Sequence, residues 1–188
     1  MTEDIAKLSD EEIVEIVREK DQEFYSEIIR RFEVKLARYV RRFVSDSDET
    51  QDVLQEVFIK AFRNLNSFDL KRKFSSWIYR IAHNEALNHL KKHNGRIVSL
   101  NEQEYKIIDE KLDLKKEMET EADHGQIKGA LARLKEKYRE PLILYFFEDK
   151  SYEEIGDILH LPTSTAGTLI ARGKKQLKEI LEKKYGKQ

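Results

Sequence analysis

The chain has 188 residues and carries 35 Lys and Arg against 36 Asp and Glu, a formal net charge of -1. Seven Gly and two Pro leave little for the turns of a sheet, while 38% charged residues with abundant Leu, Ile, Glu and Lys point to helix. No cysteine excludes disulfides and thiolate metal sites. No run approaches the roughly 18 apolar residues of a membrane span, and the acidic N-terminus lacks a signal-peptide core, so a cytoplasmic all-α protein is expected.

In chain order, Ser9-Asp10-Glu11-Glu12 opens a first helix with a capping residue and an acidic first turn, and Ile13, Ile16 and Val17 follow at helical spacing. From Phe24 to Val44, the set Phe24, Ile28, Phe32, Leu36, Tyr39, Val40 and Phe43 predicts one helix of five turns. Asp46-Ser47-Asp48 breaks it and caps a third helix with the stripe Val53, Leu54, Val57, Phe58, Ala61, Phe62 and Leu65. A polar stretch from Asp69 to Lys73 leads to a fourth helix, apolar at Phe74, Trp77, Ile78, Ile81, Ala82 and Leu87, with Asn94-Gly95 as its stop. These four helices make one domain over about residues 5–95.

Residues 96–122 are acid-rich with Tyr105 as their one aromatic, and read as a linker or as a polar surface helix around Ile108 to Met118. A second domain over 123–188 is expected to place helices near 125–137, 139–148, 151–159 and 163–184, with Pro141 in the first turn of the second of them. Within it, Ser151 and Glu154 form a capping box, Leu161-Pro162 makes a turn, and Thr163 or Ser164 caps a longer helix with Ala166, Ile170, Gly173 and Leu177 inward. Short helix, tight turn and longer helix is the helix-turn-helix arrangement. Ser164, Thr165 and Thr168 lie where base edges would be met, and Arg172, Lys174, Lys175 and Lys178 where phosphates would be.

The charge is segregated. Residues 1–64 hold 11 basic and 16 acidic side chains, residues 65–96 hold 7 and 2, residues 97–123 hold 4 and 9, and residues 124–188 hold 13 and 9. Two cationic surfaces suited to nucleic acid are therefore separated by acidic segments that face something else.

The stretch "LKEKYREPLILYFFEDKSYEEIGDILHLPTSTAGTLIARGKKQL" resembles region 4 of a bacterial RNA polymerase sigma factor of the extracytoplasmic function (ECF) class. "DETQDVLQEVFIKAF" resembles region 2.2, and "FDLKRKFSSWIYRIAHNEALNHLKK" resembles regions 2.3 and 2.4. The resemblance implies two small helical domains, no enzyme activity and no cofactor. Its implied partners are core polymerase, promoter DNA and an anti-sigma factor, without membrane insertion. It implies core-polymerase contacts at Asp52, Gln55, Glu56 and Phe58, with Asp52 and Glu56 on one helix face. At the -10 element it implies Lys71, Arg72, Lys73, Trp77, Arg80 and Asn84, where cations beside aromatics suit unpaired bases. At the -35 element it implies Ser164, Thr165, Thr168, Arg172, Lys174 and Lys175.

The chain departs from the family pattern at Leu70, where a Gly is usual, and at Gly167 and Leu169, where basic residues are usual. Gly167 and Gly173 each cost about 1 kcal/mol of helix stability relative to Ala. The acids Glu102, Glu104, Asp109, Glu110 and Asp113 would make the linker a tether that masks the cationic patches in the free protein. Two other readings compete. Glu85, His89 and His93 recur at four-residue intervals near His83, as metal ligands could, but no second set matches them, and beside Lys91 and Lys92 the histidines read as extra DNA contacts. A stand-alone helix-turn-helix regulator leaves the acidic helix face and the 65–96 patch unexplained.

Overall fold

The computed structural model describes residue 5 and residues 7–44, 46–93, 130–131 and 133–185. It divides into two units, Met1–Val98 and Ser99–Gln188. The described residues are helical with no strand, and no helix among them is long and apolar enough to cross a membrane. The expected linker at 96–122 and its five acids lie outside the described residues.

In the first unit, α1 (Asp10–Glu19) starts from a reciprocal capping box: Ser9 N–H donates to Glu12 Oε2 at 2.7 Å and Glu12 N–H to Ser9 Oγ at 3.2 Å. It buries Ile13, Val14 and Val17; the expected Ile16 is only half-buried. The five-turn helix expected from Phe24 to Val44 is shorter. Asp21 caps a 3-10 turn over Gln22–Phe24, and α2 spans Tyr25–Val40. Tyr25, not Phe24, takes the core position, and its hydroxyl donates to the Phe58 carbonyl at 2.7 Å. At the other end, bonds from Arg42 N–H to Tyr39 and from Phe43 N–H to Val40 tighten the chain out of α-geometry. Asp46 then caps α3 (Ser47–Asn64) by accepting from the Asp48 and Glu49 amides. A 3-10 turn over Leu65–Ser67 and a short loop lead to α4 (Phe74–His93). Phe32, Leu36, Tyr39, Phe43, Val57, Phe74 and Ile78 fill the core between them.

In the second unit the described chain leaves helix at Leu134-Lys135, ahead of position 138, so α5 runs Glu136–Phe147. Pro141 consequently sits in the interior of α5 and not in its first turn. It is buried there, and it offers no N–H to the carbonyl of Lys137. The capping box of Ser151 and Glu154 forms and starts α6 (Tyr152–Leu159). α7 spans Thr163–Tyr185. Its first helical bond runs from Ala166 N–H to the Pro162 carbonyl, so Thr163 and Ser164 lie inside the first turn and neither is the cap. Ala166, Ile170, Gly173 and Leu177 all point inward, as their spacing predicts.

Candidate nucleic-acid interface

The polar stretch between α3 and α4 is built as a turn on an aromatic base. Asp69 organises it, its Oδ1 accepting from Lys71 N–H at 3.0 Å and its carbonyl from Arg72 N–H at 2.9 Å. Lys71, Arg72 and Lys73 are exposed on this turn. Leu70 is exposed too and has a negative φ, so a residue other than Gly fits this backbone without strain. Beneath the turn, Phe68, Phe74 and Trp77 form a triangle with ring centroids 5.3, 5.4 and 5.5 Å apart. Phe68 and Phe74 are buried, whereas Trp77 is half-buried and keeps part of its ring at the surface. Trp77, half-buried Arg80 and exposed Asn84 follow at three- and four-residue steps along one face of α4.

Helix α1 touches both ends of this turn. The Arg18 guanidinium donates through Nε to the Leu65 carbonyl at 2.9 Å and through Nη2 to the carbonyls of Leu65 and Phe68. Glu11 Oε1 accepts from the Phe74 N–H, the first amide of α4, at 2.7 Å. Sequence reasoning missed both residues, because contacts 47 to 63 residues apart leave no local signal.

On α3, Asp52, Gln55 and Glu56 are exposed together. Phe58 is not part of that surface. It is 9% exposed, and its backbone carbonyl holds the Tyr25 hydroxyl, so its ring serves the core. The exposed aromatic of α3 is Phe62, at 41%, which the periodicity assigned to the core stripe. Phe62 lies two turns on from Gln55 and meets Tyr25 edge-on at 4.9 Å.

The four residues of the metal reading diverge. Glu85 pairs with Lys60 at 2.6 Å, and His89 Nε2 meets Glu49 Oε2 at 2.9 Å, so both tie α4 to α3. His93 stacks on His89 with ring centroids 4.2 Å apart. His83 is no DNA contact, being 4% exposed, with its Nδ1 2.8 Å from the Tyr39 hydroxyl. Burial pushes its imidazole down to about 4, so it is neutral near pH 7. Among the described residues, no three His, Asp or Glu side chains are grouped to hold a metal ion.

The turn between α6 and α7 is set by His160 and Gly156. His160 adopts φ 55° and ψ 45°, and its N–H and that of Leu161 both return to the Gly156 carbonyl. A Cβ on Gly156 would stand 2.6 Å from the Leu161 carbonyl oxygen, so only glycine permits so close a turn. Ser164 and Thr168 are exposed on α7 and Thr165 is half-buried, with the Thr168 hydroxyl donating to the Ser164 carbonyl at 2.8 Å. Arg172, Lys175 and Lys178 are exposed. Lys174 differs from them, its Nζ lying 4.0 Å from the Tyr145 ring centroid on α5, a cation–π contact within the unit. Beside Gly167 lies the ring of Tyr152, an exposed residue at the start of α6.

Known proteins share both halves of this arrangement. The family model for Sigma-70 region 2 matches residues 28–96, and that for Sigma-70, region 4 matches residues 124–177. The ECF RNA polymerase sigma factor SigW of Bacillus subtilis is 30% identical over 174 residues, covering 88% of this chain and 92% of the relative. The RNA polymerase sigma-H factor of Pseudomonas aeruginosa is 32% identical over 181 residues, covering 92% and 94%. The chain belongs to the ECF RNA polymerase sigma factors.

Two solved structures share the fold. CnrH, determined in complex with the cytosolic domain of CnrY, has a TM-score of 0.66 at 20% identity and covers 92% of this sigma factor and 97% of its own chain. The sigma factor RpoE of Bartonella quintana, determined in complex with the anti-sigma factor NepR, has a TM-score of 0.59 at 20% identity and covers 84% and 96%. The region 2 match begins inside α2, so α1, with Glu11 and Arg18, precedes the part of this sigma factor that the family model describes.

Proposed function

We propose that this sigma factor directs promoter-specific transcription initiation in the cytoplasm, bound to core RNA polymerase and acting by recognition without catalysing a reaction of its own. The single observation that supports this best is the exposed cationic turn Lys71-Arg72-Lys73 set over the Phe68, Phe74 and Trp77 rings. Cations can follow the phosphates of a separated strand while half-buried Trp77, backed by the buried Phe68 and Phe74 rings, offers a surface for an unstacked base, which duplex recognition alone does not need. In this reading Asp52, Gln55 and Glu56 dock on a basic groove of core polymerase, with Phe62 in place of Phe58 as the apolar element. Arg80 and Asn84 continue the -10 strand path along α4. Ser164, Thr165 and Thr168 address the -35 bases from the start of α7, and Arg172 and Lys175 the phosphates. Lys174 acts there as a brace on Tyr145.

This division of labour accounts for the net charge of -1. Polymerase supplies most of the non-specific hold on DNA, and the sigma factor adds local contacts while docking through acidic faces. An anti-sigma factor is a further partner, as it is for the B. quintana relative of the same fold. Transcription in vitro with core polymerase and a randomised promoter library is the test. Transcripts should share two sequence elements at a fixed spacing. Initiation indistinguishable from that of core polymerase alone would refute the proposal.

A further inference from the structure

We propose that α1 fixes the shape of the strand-receiving turn, with Arg18 and Glu11 as positioning residues that set how sharply the turn discriminates its base. Both residues act on backbone, not on DNA. The Arg18 fork reaches the carbonyls of Leu65 and Phe68, and its Cζ stands 5.9 Å from the Phe68 ring centroid. Glu11 receives the Phe74 amide at 2.7 Å, where the turn ends and α4 begins. The two residues are seven positions apart on one helix, which places them on one face about 10 Å apart along its axis. A rigid helix thus spans the turn from Phe68 to Phe74 and holds both of its ends. Between these anchors lie Leu70 and the cations Lys71, Arg72 and Lys73.

A pocket for a flipped base distinguishes bases only if its backbone groups stay where the correct base needs them, since a mobile turn adapts to the wrong base. Leu70 fits the turn without strain, and the bonds of Asp69 to the Lys71 and Arg72 amides order the middle of the turn. The bracket from α1 orders its two ends, and the inference rests on the -10 reading proposed for this turn.

Amide exchange in the free full-length chain tests the bracket alone. Arg18→Gln and Glu11→Ala should each speed exchange over residues 68–74 about tenfold while leaving the α2 core unchanged. Glu11→Gln, whose amide oxygen accepts the same N–H, should keep the parental rate. A second measurement is promoter opening by each variant with core polymerase on templates carrying each base at the position met by the turn. The preference for the best base should fall about tenfold in Arg18→Gln and Glu11→Ala, with core affinity unchanged. Exchange that rises evenly across the unit, or a base preference within about twofold of the parent, would overturn the proposal. A combined Lys71→Ala, Arg72→Ala and Lys73→Ala variant separates the two readings. If it opens promoters like the parent, the -10 role of the turn fails along with the discrimination claim, while the exchange result still decides the bracket.

Discussion

His160 occupies the left-handed region, which costs an L-residue roughly 1 kcal/mol where glycine is free of the penalty. The turn at Leu161-Pro162 lies where the sequence places it, but no sequence pattern flags the left-handed His160 just before it. Changing His160→Gly should therefore stabilise the second unit by about 0.5–1 kcal/mol in urea denaturation, with His160→Ala giving no gain. His83 shows what burial does to the same residue type. Its folded value of about 4 lies below the ordinary histidine value, so between those values the unfolded chain binds a proton that the folded chain refuses. Stability is thus unaffected at neutral pH and falls as pH drops through about 6.5 toward 4, by about 2–3 kcal/mol at pH 4.5. His83→Gln, whose amide can still meet the Tyr39 hydroxyl, should remove that part of the acid sensitivity. Denaturation of parent and variant at pH 7 and 4.5 reads the difference.

Among elements, three glycines of the second unit illustrate what sequence alone can settle. The helix-propensity argument treats Gly167 and Gly173 alike, but their surroundings separate them. A Cβ on Gly173 would lie 3.0 Å from Leu142 Cδ1 and 3.3 Å from the Tyr138 carbonyl oxygen, because α7 crosses α5 there at close range. A Cβ on Gly167 would meet only the Tyr152 ring edge at 3.3 Å, and that exposed ring can move. Gly167→Ala should gain up to about 1 kcal/mol, Gly173→Ala should gain nothing or lose about 1, and Gly156→Ala should lose 2 kcal/mol or more, roughly, in the same urea experiment. The helices themselves were legible because caps and apolar stripes are local: Ser9, Asp46 and Ser151 start helices as their side chains predict. Ends and edges were not. Phe58 and Phe62 belong to one apolar stripe by spacing, and only the position of Tyr25 on α2 decides which of them is covered. Likewise the break at Leu134-Lys135 interrupts an apolar pattern that runs on past it, so Pro141 was assigned to the wrong turn.

At the scale of the whole molecule, the proposed function assigns to one chain a docking face, a strand-receiving turn and a duplex reader. The exposed acids of α3 give the docking face a direct test. Asp52→Arg with Glu56→Arg inverts its charge without touching the core, so the pair should weaken core-polymerase capture by about tenfold or more and leave thermal stability within about 0.5 kcal/mol of the parent. Unchanged capture would remove α3 from the interface. The central claim is that this sigma factor, once on polymerase, opens promoter DNA through the turn at 71–73. Permanganate footprinting of a cognate promoter tests it most directly, because only unpaired thymines react. Core polymerase with the parent chain should expose thymines of the -10 element. Core with the Lys71→Ala, Arg72→Ala, Lys73→Ala chain should bind the same promoter and leave those thymines protected. Equal thymine reactivity with the two chains would contradict the account.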